Sequence, residues 1–156
     1  MDRQYRIVIG ADDAGFDYKT AILADLREDP RVAAVEDVGV FAEDLQAASY
    51  PQVAIVAAEK VAAGEADRAV LICGTGIGMA IAANKVEGVR ATVAHDSFSV
   101  ERSVLSNNCQ VLALGQRVIG LQLARRLVRE WLGYEFDAST PSNAKVCAIS
   151  AYESGC

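Results

Sequence analysis

The chain has 156 residues, 52% of them apolar, which suits a single domain over residues 1–156 with enough side chains for a full core. Fifteen basic residues against twenty-one acidic ones leave a net charge of −6, a surface that repels phosphate backbones and anionic lipid and excludes general nucleic-acid or membrane-surface binding. No run reaches the roughly 18 continuous apolar residues of a membrane span, and the start Met1-Asp2-Arg3-Gln4-Tyr5 lacks a charged-then-apolar leader, so a soluble, cytoplasmic protein is expected.

Short β-rich runs alternate with longer helical stretches. Tyr5 to Ile9 reads as the first strand. Asp17 to Glu28 reads as a helix with Tyr18, Ile22, Leu23 and Leu26 on one face. A second strand is expected at Val35 to Val38. The second helix starts near Ser49-Tyr50-Pro51-Gln52, where Ser49 is the N-cap, Pro51 suits the first turn and Gln52 completes a capping box. Arg68 to Cys73 is the third strand, and Gly76 to Lys85 the helix after it. Arg90 to Ala94 and Gln110 to Leu114 read as strands, separated by a helix from Ser97 to Leu105. Val118 to Trp131 is a helix with Ala124, Leu127, Val128 and Trp131 inward, and a last helix covers Ser142 to Tyr152. Several strands are unbroken apolar runs. That is the pattern of strands covered on both faces, so a parallel sheet between two helix layers is predicted. Ligands of such sheets bind beyond the carboxyl ends of the strands.

Four strand-end segments can carry chemistry. Asp12 and Asp13, after the first strand, can bind sugar hydroxyls or a metal, or can cap a helix. Paired acids there also occur in phospho-acceptor domains, but those need an aspartate where this chain has Cys73. The second segment is Cys73-Gly74-Thr75-Gly76-Ile77-Gly78. Its three alternate glycines admit close backbone approach, and the following helix N-terminus offers unpaired N–H groups. It is neither a GxGxxG fingerprint nor a Walker loop. Cys73 is a candidate base or nucleophile, because helix N-termini favour thiolates; read by itself it is also an ordinary small buried side chain. His95 is the only histidine, a candidate proton shuttle or a structural hydrogen-bonder, and it rules out a His-rich metal centre. Asn107 and Asn108 either bind hydroxyls or form a turn. Arg117 can clamp a phosphate. None of Cys73, Cys109, Cys147 and Cys156 forms a CxxC pair, which argues against a redox or zinc motif.

Together, Gly10-Ala11-Asp12-Asp13-Ala14-Gly15-Phe16, Tyr50-Pro51, Ile72-Cys73-Gly74-Thr75-Gly76-Ile77-Gly78, Ile81-Ala82-Ala83-Asn84-Lys85, Asn107-Asn108 and Gly115-Gln116-Arg117 resemble the ribose-5-phosphate isomerase B and galactose-6-phosphate isomerase family over about residues 5 to 152. The resemblance implies a Rossmann-like three-layer α/β/α sandwich with a five-stranded parallel sheet. It implies a homodimer, often paired into a tetramer, with shared active sites, and a cofactor-free, metal-free aldose–ketose isomerisation of a sugar phosphate. By matched position, Cys73 is the base and Thr75 assists it. Backbone amides from Gly74 through Gly76 and Ile77 to Gly78 hold the enediolate. Asp12 and Asn107 bind sugar oxygens, Tyr50 lines the pocket and Arg117 binds phosphate.

The chain departs from that pattern in three places. Asp13 stands where the family has a phosphate-binding His. Ser106 stands where it has a ring-opening His. Pro141-Ser142-Asn143-Ala144-Lys145 replaces a two-arginine phosphate motif and leaves Lys145 as the comparable cation. A tetrose 4-phosphate cannot close a five-membered ring, because the closing oxygen carries the phosphate, so its isomerase needs no ring-opening acid. D-Erythrulose 4-phosphate is therefore the favoured substrate, as in one branch of the family. The alternatives are D-ribose 5-phosphate, with His95 taking over ring opening, and a non-catalytic sugar-phosphate-binding module.

Overall fold

The computed structural model describes residues 3–154. Strands β1 (Tyr5–Ala11), β2 (Val32–Asp37), β3 (Arg68–Cys73), β4 (Ala91–Val93) and β5 (Val111–Gly115) alternate with helices α1 (Phe16–Glu28), α2 (Tyr50–Ala62), α3 (Ile77–Ala83), α4 (Ser97–Leu105) and α5 (Leu121–Trp131), and α6 (Ser142–Ser154) follows. Every strand pair is parallel, in the order β2-β1-β3-β5-β4. This is the expected Rossmann-like sheet. The last cysteine, Cys156, lies outside the described residues.

Side-chain alternation divides the core between two faces. Ile7 and Ile9 of β1, Val70 and Ile72 of β3, and Leu112 and Leu114 of β5 pack with Ile22, Leu26, Val100, Leu127 and Trp131 from α1, α4 and α5. Val8, Ala69, Leu71, Cys73, Val111 and Ala113 point the other way, onto Val53, Ala54, Ala57, Met79 and Ala80 from α2 and α3. The three central strands are buried along nearly their whole length, whereas β2 and β4 at the edges are half-exposed. Cys73 is the last residue of β3, and the alternation aims it at the α2/α3 side.

The differences from the sequence expectation lie at element ends. β2 starts at Val32, three residues early, because Val32 already pairs with Tyr5 across the sheet; its alanines face solvent, so no apolar run marks it. Gly76 caps α3 rather than joining it, and α3 stops at Ala83. α5 starts at Leu121, three residues late, because Val118 N–H turns back onto Gly115 O. The capping box at α2 is present, with Gln52 Oε1 accepting the Ser49 N–H at 2.9 Å.

One buried ion pair sets the loop that leads to the C-terminal rim. Lys19 of α1 is 1% exposed. Its Nζ lies 2.9 Å from Asp37 Oδ2, donates to Val40 O, and sits 4.9 Å from the centres of both the Phe16 and Phe41 rings. Asp37 ends β2, and the chain then crosses the end of β1, where Val40 N–H bonds Ala11 O at 3.0 Å. A buried pair contributes little net stability, but breaking it strands a charge in the core. Asp37→Asn should therefore lower the unfolding free energy by about 3–5 kcal/mol, read as a drop in urea midpoint by circular dichroism. The double change Lys19→Met with Asp37→Leu should recover most of that loss.

Candidate active site

The strand order reverses between β1 and β3: from β1 the chain goes to one side to build β2, and from β3 it goes to the other side to build β4, returning to place β5 between β3 and β4. Such a switch point opens a crevice at the carboxyl ends of the two strands. Here it is an open cleft of about 440 Å³, lined by Asp12, Ala14, Tyr50, Cys73, Gly74, Thr75, Ile77, Gly78, Ile81 and Arg117. The structure thus brings together Asp12, Tyr50, Cys73, Gly74, Thr75, Ile77, Gly78 and Arg117, expected from four separate stretches of sequence.

Cys73 reaches the cleft although the residue is only 5% exposed. Its Sγ accepts the Gly76 N–H at 3.1 Å. That bond requires the chain to double back within three residues, and Gly76 does so at φ +78°, a left-handed conformation that side chains disfavour. Gly76 lines no part of the cleft and acts through this turn. Ile77 N–H donates to Thr75 Oγ1 at 3.3 Å. Two amides of the expected collar are thus engaged within the loop. The next two, Gly78 and Met79, precede the first bond of the helix, from Ala80 N–H to Gly76 O at 3.1 Å, so α3 gives them no acceptor.

The other walls are set by close contacts. Tyr50 opens α2, and a Cβ on Gly78 would come within 2.4 Å of its ring, so glycine is what lets the two helix starts meet. Arg117 is held by its backbone, whose N–H donates to Gly74 O at 3.0 Å. Asp12 caps a short 3₁₀ turn over Asp13–Gly15, accepting the Gly15 N–H at 3.2 Å. Burial raises its pKa above the ordinary carboxylate value, and the neighbouring Asp13 charge adds to that; backbone N–H groups of Gly15 and Ala14 offset part.

The remaining candidates lie elsewhere. Asp13 is exposed and accepts from Gln46 Nε2 at 3.2 Å, outside the cleft lining. Ser106 closes α4, and its Oγ accepts from Arg102 at 3.3 Å. Asn107 lines a different cavity. Lys145 is exposed on α6. His95 also lies outside the cleft lining; its Nε2 accepts the Gly115 N–H at 2.8 Å, which pins the end of β4 to β5. Two cleft residues escaped sequence reasoning, Ala14 and Ile81. For Ile81 the signal was its place four residues after Ile77, one turn along an exposed helix face.

Residues 7–149 match the model of the Ribose/Galactose Isomerase family. The chain belongs to the ribose/galactose isomerase family. It is a sugar-phosphate isomerase, interconverting an aldose and a ketose. The chain is 66% identical over 148 residues to D-erythrulose-4-phosphate isomerase 2 of Mycolicibacterium smegmatis, covering 95% of this chain and 97% of that one. It is 41% identical to ribose-5-phosphate isomerase B of Escherichia coli, covering 95% and 96%. Among solved structures, ribose-5-phosphate isomerase B of Clostridium thermocellum superposes with a TM-score of 0.86 at 37% identity, covering 96% and 98%.

For this isomerase the His95 bond has a pH consequence. Burial lowers the His95 pKa below its ordinary 6.5, and the Asp96 charge offsets only part of that. The unfolded chain therefore binds the proton more readily than the folded one. The stability that the neutral ring contributes is present above pH 6.5 and lost as pH falls through the lower folded value. His95→Asn should flatten this dependence: urea midpoints at about pH 7 and pH 5 should differ less than in the unsubstituted protein, at most by one proton's worth of slope.

Proposed function

We propose that the enzyme interconverts D-erythrulose 4-phosphate and D-erythrose 4-phosphate through an enediolate, with Cys73 as the base. The observation that carries the substrate is the 66% identity to the Mycolicibacterium smegmatis D-erythrulose-4-phosphate isomerase 2. It agrees with Ser106, whose hydroxyl replaces the ring-opening acid that an open-chain tetrose phosphate does not need. In the ketose-to-aldose direction, Cys73 thiolate takes a proton from C1, and the C–H electron pair moves toward the C2 carbonyl oxygen. The C1 hydroxyl proton passes to the C2 oxygen, the thiol returns its proton to C2 and C1 becomes the aldehyde, so the step balances without a redox partner. Amides aimed at the developing oxyanion stabilise it, and one such donor is worth roughly 3–4 kcal/mol in other enzymes. Gly78, which lines the cleft, supplies an amide that the helix leaves without an acceptor. Asp12 meets the sugar hydroxyls, Thr75 assists beside the thiol and Tyr50 lines the cleft.

The working unit is a homodimer, with tetramers as a further assembly. The cleft of one copy is open on the side of Tyr50, Ile77 and Ile81, which are 42%, 56% and 58% exposed. A second copy covers that rim and brings Ser106, Asn107 and Lys145, which lie away from the cleft of their own chain.

The tetrose assignment is tested by measuring turnover of D-erythrulose 4-phosphate and D-ribose 5-phosphate side by side. The tetrose should give the higher kcat/KM by at least about ten-fold, a difference of about 1.4 kcal/mol in transition-state binding; a faster pentose overturns it in favour of the ribose 5-phosphate reading. Cys73→Ser tests the base. An alkoxide is far harder to form than a thiolate, so turnover should fall by at least about a hundred-fold, the scale of lost general-base catalysis, with the fold intact by circular dichroism. Near-normal turnover removes Cys73 from that role. Turnover of neither overturns both substrate readings and leaves an isomerase of another sugar phosphate.

A further inference from the structure

A second cavity, of about 480 Å³, lies beside α4, β4 and α6 and shares no lining residue with the Cys73 cleft. Among the described residues its lining includes Arg90, Arg102 and Asn107 but no carboxylate, in a chain whose net charge is −6. Arg90 is fixed there by its Nε bond to Asn108 O at 2.8 Å. Arg102 is less complete. Its Nη1 donates to Ser106 Oγ at 3.3 Å, and Asn107 Nδ2 donates to its carbonyl at 3.0 Å. Its Nε is buried without a hydrogen-bond acceptor; Glu101 Oε2 lies 3.3 Å away, near enough for charge attraction but off the hydrogen-bond direction. A buried donor without an acceptor is costly, and a guanidinium is built to take a phosphate through two parallel N–H bonds. Lys145 stands one turn before the cavity residue Ile149 on the same face of α6. One face of the chain thus gathers Arg102, Asn107 and Lys145, while the Cys73 cleft holds Arg117 as its one cation.

We propose that Arg102 is a substrate-binding residue that clasps the phosphate of a sugar seated in the Cys73 cleft of a second copy of the chain. The proposal rests on the shared-site isomerase reading and names the cation that fixes its substrate. It accounts for the loss of arginine from the Pro141–Lys145 stretch, because the charge is supplied one turn before Ser106 instead. It also suits a short substrate, whose phosphate lies nearer the reacting carbons and must be met from a different place.

The test uses the full-length Arg102→Met and Arg102→Lys variants, with unfolding midpoints to confirm that both are folded. Arg102→Met should raise KM, and weaken competitive inhibition by inorganic phosphate, by about ten-fold or more, the size of one lost charge-assisted bond. Its kcat should change much less, and Arg102→Lys should recover part of the affinity. Mixing Arg102→Met chains with Cys73→Ser chains, unfolded and refolded together, should restore about one quarter of the unsubstituted kcat/KM, because half the dimers are hybrids and each has one intact site. Unchanged KM and phosphate inhibition in Arg102→Met overturns the proposal. A mixture no more active than its two parents overturns the placement across two copies, and phosphate that binds the cavity without competing with substrate makes it a separate anion site. If the unsubstituted enzyme turns over neither sugar, the substrate reading fails by itself. Phosphate protection of Cys73 from iodoacetamide, kept in the unsubstituted protein and lost in Arg102→Met, then still decides the role of Arg102.

Discussion

The bond from Gly76 N–H to Cys73 Sγ is the constraint on which the site depends. It needs a sulfur at the last position of β3 and a left-handed residue three positions later. It also needs a helix that starts at once, which places Gly78 in the lining of the same cleft. Each requirement excludes alternatives. Any side chain at Gly76 would carry the cost of φ +78° and would stand about as close as 3.0 Å to the Leu114 backbone. The same turn fixes Gln116 and Arg117, whose N–H groups donate to Cys73 O and Gly74 O at 2.9 and 3.0 Å. Cys73, the Gly76 turn and the Arg117 backbone are therefore fastened to one another rather than placed independently.

The Lys19–Asp37 pair does comparable work for the facing wall. It fastens the loop after β2 to α1, and that loop delivers the chain to Ser49 and Tyr50. The Tyr50 ring in turn lies against Gly78. The sheet supplies the crevice through its strand order, and these two fastened loops give the crevice its chemistry.

How much of this was legible in the sequence depended on how local the signal was. Unbroken apolar runs gave β1, β3 and β5 and their parallel pairing, because strands covered on both faces leave no polar alternation. The Ser49–Gln52 capping box fixed the start of α2 within one residue. β2 was misplaced because an edge strand with exposed alanines has no such run, and α5 because Val118 and Ile119 extend its apolar pattern without joining it. In the site, Cys73, Thr75 and their glycines were readable as one contiguous motif, Asp12 and Arg117 through their places beside strand ends, and Tyr50 only through the family resemblance. Asp13 and His95 carried suggestive chemistry but are spent on Gln46 and Gly115, which no spacing rule reveals. Arg102 gave no signal at all: it sits mid-helix like any solvated arginine, and only the cavity around it distinguishes it.

The foot of the sheet is closed by a different stack. Arg68, at the first position of β3, lies 4.4 Å from the Tyr5 ring centre and 5.0 Å from that of Trp131, and donates to Trp131 O at 2.8 Å and to Tyr134 O. Trp131 is the chain's single tryptophan, fully enclosed. β3 separates Arg68 from Cys73 by roughly 16 Å of extended strand. The protein's strongest intrinsic fluorophore is thus shielded from whatever enters the crevice: its emission follows the integrity of the sheet's far end and stays blind to a sugar arriving beside the thiol.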